Sequence, residues 1–492
     1  MKHRTFYSQV VRWLIIIVTS VLFSRLSSGA WVAVMSLAGG VWALTGKVGK
    51  SLSMYLLITF LVIMNPVLMP FGGFFSIFVR FGPLIIGLAL SLKGVGIHGK
   101  VRFPLGILGV YLVVAIISST SGWAPLVSYL KIFNYLIFIS AFWFGLHTLS
   151  VDPVGIYDLR AMIMALSVFV IGGSALLIPF PAISTLSGYA LAMREGNLAA
   201  ANQAMANIDD MAPLFCGITR QSQALGPILS AIITWVIADM LFVVKKSNPL
   251  HIMLTLAGFM LLYMTRSRAG FFAMLTGILM LTSYLPSKMG RSTKLKKNMQ
   301  SSMWLILSFI LIAACVSEIR SSSMSRWLRK TDDVRKDDRT LTEAVTASRQ
   351  GLIESSMYDF RLNPLFGKGF QVTQETAEMV RQAGTGFVIS APIEKGVLPI
   401  MVLGETGIVG ALVFVAFLVS FYTTIARNRL YITVTLFTVL LATNMAEATF
   451  FSPGGMGGVL WAICVIGGYC IDVLIAQQRF YIGMLKSSDR ME

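Results

Sequence analysis

Arginines that lie just before long apolar runs are the residues of this chain with the clearest chemical potential. Arg220 lies in "GITRQSQALGP", and Arg266 and Arg268 lie in "TRSRAGFFAML". A Glu-Lys pair, Glu394 and Lys395, lies in "ISAPIEKGVLP", where a polar region gives way to another apolar run. A guanidinium group binds phosphate oxygens in bidentate fashion. Several arginines facing one cavity therefore predict an anionic ligand, such as a phosphate or pyrophosphate.

Two further cations lie inside apolar segments. They are Arg80 in "FFSIFVRFGPL" and Lys131 in "SYLKIFNYL". A charge within a membrane helix is costly and tends to face a cavity or a partner. Such a side chain can also extend to the membrane surface. We expect Arg80 and Lys131 either to join the anion site or to reach the interface.

The composition predicts an all-α, polytopic membrane protein. Of the 492 residues, 56% are hydrophobic and only 13% are charged, whereas a soluble domain has about 25% charged residues. The apolar runs are continuous rather than alternating, which favours helices over a β-barrel. The net charge of +18 comes largely from short basic loops, as expected for cytoplasmic loops of a membrane protein. Nucleic acid is therefore not an expected partner.

About 14 transmembrane helices are predicted, and 12 or 13 remain possible because the first two runs could form one broken helix. The predicted helices lie near residues 9–24, 28–45, 52–69, 74–92, 103–119, 125–147, 157–179, 222–243, 249–264, 268–286, 301–319, 396–422, 430–446 and 457–476. The chain then divides into residues 1–319 with eleven helices, an extracytoplasmic loop subdomain at 320–395, and residues 396–492 with three helices and a cytoplasmic tail.

The loop subdomain is predicted to contain one amphipathic helix. Thr340 and Glu343 have capping-box spacing, and the pattern continues to Asn363-Pro364. The apolar positions in between are Leu341, Val345, Leu352 and Phe360. This stripe predicts a helix that packs on the bundle or lies at the lipid surface.

Histidine chemistry and metal chemistry are not expected on the outer face. The predicted topology puts all four histidines at the cytoplasmic side: His3, His98, His147 and His251. The four cysteines have no ligand-like spacing, and there is no Asp-x-Asp to hold a metal with a nucleotide sugar. A base on the outer face must then be a carboxylate, or an unusual Lys or Tyr. We expect no metal and no cofactor.

Three sequence blocks resemble the bacterial O-antigen ligase and polymerase superfamily. They are "TRSRAGFFAMLTGILML", "NPLFGKGFQV" and "EKGVLPIMVLGETGIVGALVFVAFL", and the resemblance covers about residues 215 to 420. It implies a metal-independent glycosyltransferase of the GT-C type. Such an enzyme moves a glycan from undecaprenyl pyrophosphate onto an acceptor sugar at the periplasmic face of the inner membrane.

The resemblance also implies roles for individual residues. Arg220, Arg266 and Arg268 would bind the pyrophosphate. Many ligases have a histidine in the outer loop that activates the acceptor hydroxyl, but here that region contains "PIEKG". Glu394 is then the candidate base, with Lys395 either holding its charge or contacting phosphate. The alternative is that the pair simply caps a helix at the interface.

Three functions remain open at this point. The first is a polysaccharide polymerase that joins lipid-linked repeat units into O-antigen, capsule or exopolysaccharide, with a flippase and a chain-length regulator as possible partners. The second is a ligase that transfers the glycan to lipid A-core or to protein. The third is a secondary transporter, which often shows two similar halves; no internal repeat is evident here.

The basic loops generate a topology prediction. The cluster around "KLKK" at 294–297 is expected in the cytoplasm, so that both termini lie inside and residues 320–394 lie outside. Reporter fusions at Gly290, Val345 and Ser488 would test this. A cytoplasmic signal at Val345 would put the arginines in the wrong compartment and contradict the predicted site.

Overall fold

The structure of the protein is a computed structural model, and it describes most of the chain. The residues described are 2–26, 30–45, 47–64, 102–151, 153–179, 215–219, 222–245, 248–288, 341–374, 377–378, 396–453 and 455–488. Within these ranges every regular element is a helix. The predicted all-α class is thus confirmed for the described part of the chain.

The helices follow the apolar runs closely. In chain order they are α1 (Lys2–Leu26), α2 (Ala30–Leu44), α3 (Val48–Met64), α4 (Arg102–Thr120), α5 (Pro125–Val151), α6 (Pro153–Leu176), α7 (Ser222–Ala238), α8 (Pro249–Met264), α9 (Arg268–Lys288), α10 (Leu341–Leu362), α11 (Leu398–Arg427), α12 (Tyr431–Asn444), α13 (Met456–Trp461) and α14 (Gly467–Ser488). Short π-helical segments extend α7 over Asp239–Val244 and join α13 to α14 over Ala462–Ile466.

The apolar helices make this a multi-pass membrane protein. In the described part of the chain, five helical segments are long and apolar enough to cross a membrane: Phe6–Phe23, Val154–Leu176, Ala224–Val244, Leu398–Arg427 and Met456–Gln478. Shorter apolar helices lie between them, among them α2, which is separate from α1. The predicted helices at 74–92 and 301–319 lie outside the described residues, so the count of 14 spans stays a prediction.

The amphipathic helix predicted in the loop subdomain is present as α10. It packs along the first half of α11. A Cβ on Gly396 would lie 3.0 Å from the Cβ of Leu352. A Cβ on Gly404 would lie 2.6 Å from the carbonyl oxygen of Ser356. The two helices therefore run in the same direction, with later residues of α10 beside later residues of α11.

Contacts between connecting segments define two ends of the bundle. At one end, the Trp123 N–H in the turn after α4 donates to the Lys368 carbonyl in the segment after α10. At the same end, Arg349 of α10 donates to Glu447 in the segment after α12. We call this the arginine end. At the opposite end, Phe6 and Tyr7 near the start of α1 contact Arg160 of α6 and Asn248, the residue before α8. These are the two groups of segments that the alternation of predicted loops assigns to opposite sides of the membrane.

A buried charge cluster joins three helices at the opposite end. Arg160 of α6 donates two hydrogen bonds to the carboxylate of Asp239, at 2.7 and 2.9 Å. The His251 Nε2 lies 3.0 Å from Asp239 Oδ2, which also accepts one of the Arg160 bonds, and Phe6 of α1 covers the guanidinium at 4.0 Å from its ring centroid. Removal of one partner of a buried ion pair destabilises the folded protein by about 3–5 kcal/mol. The cluster therefore fixes α6, α7 and α8 relative to one another.

Candidate functional site

The turn between α8 and α9 holds two of the predicted arginines. Thr265, Arg266 and Ser267 form it, and Arg268 is the first residue of α9. Arg266 has a φ of 50°, a left-handed conformation that few residues other than glycine adopt. Backbone strain of this kind costs about 1–3 kcal/mol and clusters at functional sites. Both arginine side chains are partly exposed, and the turn places them at the arginine end.

Close packing of α7 on α9 fixes the position of this turn. A Cβ on Gly270 would lie 2.6 Å from the carbonyl carbon of Gly226, and Ser267 packs against Gly226 as well. Ser267 also accepts a hydrogen bond from the Gly270 backbone at 3.3 Å. The start of α7, which follows Arg220 in the sequence, and the start of α9 are therefore adjacent. Arg220 itself lies outside the described residues.

An ion pair brings a further arginine to the same end. Arg349 of α10 donates a hydrogen bond to the carboxylate of Glu447, which lies three residues after the end of α12. Their side chains are only 13% and 9% exposed. The Asn444 side chain accepts hydrogen bonds from the backbones of Thr449 and Phe450 at 2.7 Å each, so the turn that carries Glu447 is firmly held.

Among the described residues, this cluster contains two arginines, Arg268 and Arg349, and one carboxylate, Glu447. Arg349 lies close enough to Arg268 for their charges to repel. One guanidinium nitrogen of Arg268 is buried and has no hydrogen-bond partner among the described residues. Glu447 is the carboxylate bonded to Arg349. A buried cationic nitrogen is costly without a partner, so the Arg268 guanidinium is suited to an anionic ligand.

A break in α11 anchors the end of α10. Gly407 has φ 65° and ψ −167°, which interrupts the helix between Thr406 and Ile408. The freed backbone groups bond to the segment after α10, Asn363–Phe370, which we call the NPLFGKGF turn. The Lys368 and Gly369 N–H groups donate to the carbonyls of residues 404 and 405 at 2.9 and 3.1 Å. In return, the N–H groups of residues 408 and 409 donate to the carbonyls of residues 364 and 365, at 2.9 and 3.3 Å.

Two glycines make this docking possible. Gly367 has a φ of 70°, and a Cβ there would lie 2.6 Å from the carbonyl oxygen of Gly404. A Cβ on Gly407 would lie 2.5 Å from the backbone nitrogen of Phe366. A side chain at either position would meet both a strained φ and a backbone clash. Two of the blocks that carry the family resemblance, "NPLFGKGFQV" and the "GETG" of α11, are thus directly bonded to each other.

Helices α4 and α5 complete the frame around the NPLFGKGF turn. The Ser118 hydroxyl donates to the carbonyl of Glu405 and accepts from the Gly369 N–H at 3.1 Å. Ser128 donates to the Phe370 carbonyl at 2.6 Å. Phe370 is fully buried in an aromatic cluster whose ring centroids lie 5.1–6.4 Å apart. The other members of that cluster are Tyr111, Tyr135, Phe414 and Phe451. The turn is therefore a rigid part of the bundle.

The predicted site residues have different positions in the structure. Arg266 lies in the turn before α9, and Arg268 is the first residue of that helix. Lys131 donates a 2.8 Å hydrogen bond to the carbonyl of Gln371, so it holds the chain just after the NPLFGKGF turn. Glu405 is 4% exposed and uses its backbone carbonyl to bind that turn. The predictions for Arg80, Arg220, Glu394 and Lys395 concern residues outside the described part of the chain.

Sequence reasoning missed Arg349 and Glu447. Arg349 lies on the face of α10 that also carries Leu352 and Phe360, and a charge on that packed face was the available signal. Glu447 follows α12 in "NMAEATFF", where a lone carboxylate next to an apolar helix could have been paired with the arginines. The two residues are 98 positions apart in the sequence, so local patterns could not predict that they form a pair.

Comparisons with known proteins add no assignment. No protein-family model matches this sequence, and no curated protein matches it. Within the described ranges, no group of three or more His, Cys, Asp or Glu residues could hold a metal ion.

The packing of the NPLFGKGF turn generates a prediction about glycine substitutions. Gly407→Ala introduces a strained φ, costing about 1–2 kcal/mol, together with a clash against the turn. It should therefore lower the thermal unfolding temperature of the purified protein. Gly351→Ala is the matched control, since nothing lies within 4 Å of a Cβ there. Alanine is favoured in a helix by about 1 kcal/mol, so this control should be neutral or stabilising. Equal stability of the two variants would contradict the docking.

Proposed function

We propose that this protein is a polysaccharide polymerase of the GT-C type, which transfers glycan repeat units from a polyprenyl-pyrophosphate carrier onto an acceptor sugar. The observation that carries the proposal is the cluster of Arg268 and Arg349 with Glu447 at the arginine end. The cluster combines two arginines from different helices, low exposure of the Arg349 and Glu447 side chains, and a buried Arg268 guanidinium nitrogen without a partner among the described residues. The three sequence blocks that resemble the O-antigen ligase and polymerase superfamily support the same conclusion.

A pyrophosphate fits this cluster for chemical reasons. Each guanidinium offers a planar fork of N–H donors that matches two phosphate oxygens. Two such forks on different helices, α9 and α10, can bind the two phosphates of a pyrophosphate from different sides. In the transfer step the acceptor hydroxyl oxygen bonds to the anomeric carbon while the bond from that carbon to the pyrophosphate oxygen breaks, and the departing pyrophosphate gains one further negative charge. Fixed cations stabilise this more highly charged leaving group more than they stabilise the pyrophosphate diester of the donor, which is how they accelerate transfer.

The location of the cluster favours a lipid-linked donor. We place the arginine end at the periplasmic face of the bacterial inner membrane, because the basic loops belong to the opposite end. Soluble nucleotide donors are scarce there, whereas a polyprenyl tail keeps its pyrophosphate at the membrane surface. Both chain termini are then cytoplasmic. The donor and acceptor are lipid-linked glycans, with a flippase and a chain-length regulator as possible partners.

Glu394 is our candidate for the base that accepts the proton of the acceptor hydroxyl. It comes two residues before Gly396, which packs against Leu352 on α10. Leu352 lies one turn from Arg349 on that helix. Two residues of chain span at most about 7 Å. Gly396, where the described chain resumes after Glu394, therefore packs next to the helix turn that carries Arg349.

Two other functions stay as alternatives. A ligase would use the same arginines with a different acceptor, lipid A-core or protein, so the cluster supports it equally. A secondary transporter is less favoured, because it gives no reason for an arginine cluster joined to a docked NPLFGKGF turn. The acceptor identity separates the first two, and ion-driven uptake without a glycan product would support the third.

Arginine-to-lysine variants test the pyrophosphate site. Arg268→Lys and Arg349→Lys keep the charge and lose the bidentate fork. One or two charge-assisted hydrogen bonds of about 1.5–3 kcal/mol each correspond to a loss of roughly tenfold to several hundredfold in transfer rate. Arg220→Lys is expected to behave in the same way. The measurement is transfer by purified, folded variants with lipid-linked repeat units.

The matched control is Arg361→Lys, an exposed arginine on the same helix as Arg349. It should transfer at the wild-type rate. Normal transfer by a double Arg268→Lys, Arg349→Lys variant would exclude these residues as a pyrophosphate site.

A carboxylate variant tests the base. Glu394→Gln keeps the shape of the side chain but cannot accept the proton, so transfer should fall by about a hundredfold or more, with donor binding retained. Glu354→Gln changes an exposed carboxylate on α10 and serves as the control. If Glu394→Gln transfers normally while a variant of another outer carboxylate, Glu195 or Asp209, is inactive, the Glu-Lys pair is an interfacial cap instead.

A further inference from the structure

The exposed face of α10 changes character along the helix axis. In its middle this face carries Gln350, Glu354 and Ser355, all exposed and polar. One to three turns later the same face carries Tyr358 and Leu362, which are 53% and 45% exposed. A helix lying flat on a surface changes polarity around its circumference and keeps it along its length. Here the exposed strip changes from polar to apolar from one end to the other.

The apolar strip continues beyond the helix. Leu365, in the NPLFGKGF turn, is 58% exposed, although its carbonyl accepts a hydrogen bond from the Val409 backbone at 3.3 Å. The neighbouring residue Ile408 is 45% exposed and begins a row of exposed apolar side chains on α11. The row continues with Leu412, Val415 and Val419, which are 55–66% exposed. The end of α10 and the outer surface of α11 thus form one continuous apolar surface.

The length of α11 indicates how deep this junction lies. The helix has 30 residues, or about 45 Å at a rise of 1.5 Å per residue. The hydrocarbon core needs only about 20 residues. Counting about 20 residues back from Arg427, the basic residue in its last turn, reaches Gly407 and Ile408. The residues bonded to the NPLFGKGF turn therefore lie near the boundary of the hydrocarbon core at the arginine end.

We infer that α10 enters the membrane end-first, so that Leu365 and Leu362 contact lipid acyl chains and Tyr358 lies among the headgroups. Tyrosine is enriched at that level of membrane proteins. Arg361, which is exposed between these residues, can extend its guanidinium back toward the headgroups. The polar residues Gln350 and Glu354 then lie in water. Lipid, rather than a protein partner, is the occupant because the strip continues the lipid-facing surface of a membrane-spanning helix.

This inference does not depend on the proposed enzymatic function. It adds a membrane-embedded anchor at the C-terminal end of α10, the helix that carries Arg349. It also gives a reason for the close docking of the NPLFGKGF turn. Non-helical backbone at the edge of the hydrocarbon core requires satisfied polar groups, and the break in α11 supplies the partners for four of them.

Spin-label accessibility would test the inference on the full chain in lipid vesicles. A nitroxide is attached to single cysteines at positions 358, 362 and 365 in a background without the four native cysteines. Accessibility to oxygen, which partitions into lipid, is compared with accessibility to a water-soluble nickel complex. Position 412 serves as the lipid reference and position 354 as the water reference on the same face of α10. Only variants that match the unlabelled protein in thermal stability are compared.

The expected result is a gradient of depth along one helix. Position 365 should be the deepest, position 362 shallower, position 358 shallower still, and position 354 fully accessible to the nickel complex. Nickel accessibility at 362 and 365 equal to that at 354 would overturn the inference. Protection of 362 and 365 from both reagents would also overturn it, because that result indicates a covering protein.

If the cysteine at 365 prevents folding, a photoreactive phenylalanine derivative at position 358 gives a second measurement. Cross-links from position 358 to phospholipid are expected, and cross-links to protein would contradict the inference.

Discussion

The arrangement of the arginine end depends on one interruption of backbone hydrogen bonding, at Gly407 in α11. A break in a membrane helix exposes polar backbone groups that lipid cannot satisfy. The NPLFGKGF turn supplies four hydrogen bonds to those groups, and Ser118 of α4 adds another. These bonds fix the end of α10 to two membrane helices. The turn then continues into the buried aromatic cluster through Phe370, which removes most of its freedom to move.

Fixing α10 in this way determines where Arg349 lies. From the anchored turn, α10 runs back along α11 toward the segments at the arginine end, and its packed face presents Arg349 to Glu447. Glu447 is itself held by a turn that Asn444 stabilises. Arg268 approaches from α9, whose start is fixed by close packing on α7 at Gly226 and Gly270. Three structural constraints therefore converge on one cluster of charge.

Hydropathy alone predicts much of this fold, because the apolar runs coincide with helices wherever the chain is described. Twelve of the fourteen predicted runs overlap observed helices, and α10 begins and ends near the predicted capping box and Asn363-Pro364. Contacts between distant segments could not be predicted in this way. The sequence contains both "NPLFGKGFQV" and "GETG", but their mutual hydrogen bonds depend on a helix break at Gly407 that has no local signal other than glycine itself.

In the candidate site too, some residues could be predicted from the local sequence and others could not. Arg266 and Arg268 could be chosen because charge at an apolar helix start is unusual. Arg349 could not be chosen from its local sequence, since α10 contains other charged residues and only tertiary packing distinguishes Arg349 from exposed Arg361. Lys131 also depends on tertiary structure: its partner, the carbonyl of Gln371, is 240 residues away. Local sequence patterns predicted which types of residue occur in the candidate site, and tertiary packing showed which individual residues lie together.

The central claim is that this chain by itself transfers a glycan from a lipid pyrophosphate. The most direct measurement incubates the purified wild-type protein in vesicles with lipid-linked repeat units as the only glycan, followed by gel separation of the products. The account predicts a ladder of lengthening glycans that remain attached to the polyprenyl carrier. Unchanged single repeat units after incubation with a folded preparation would contradict it.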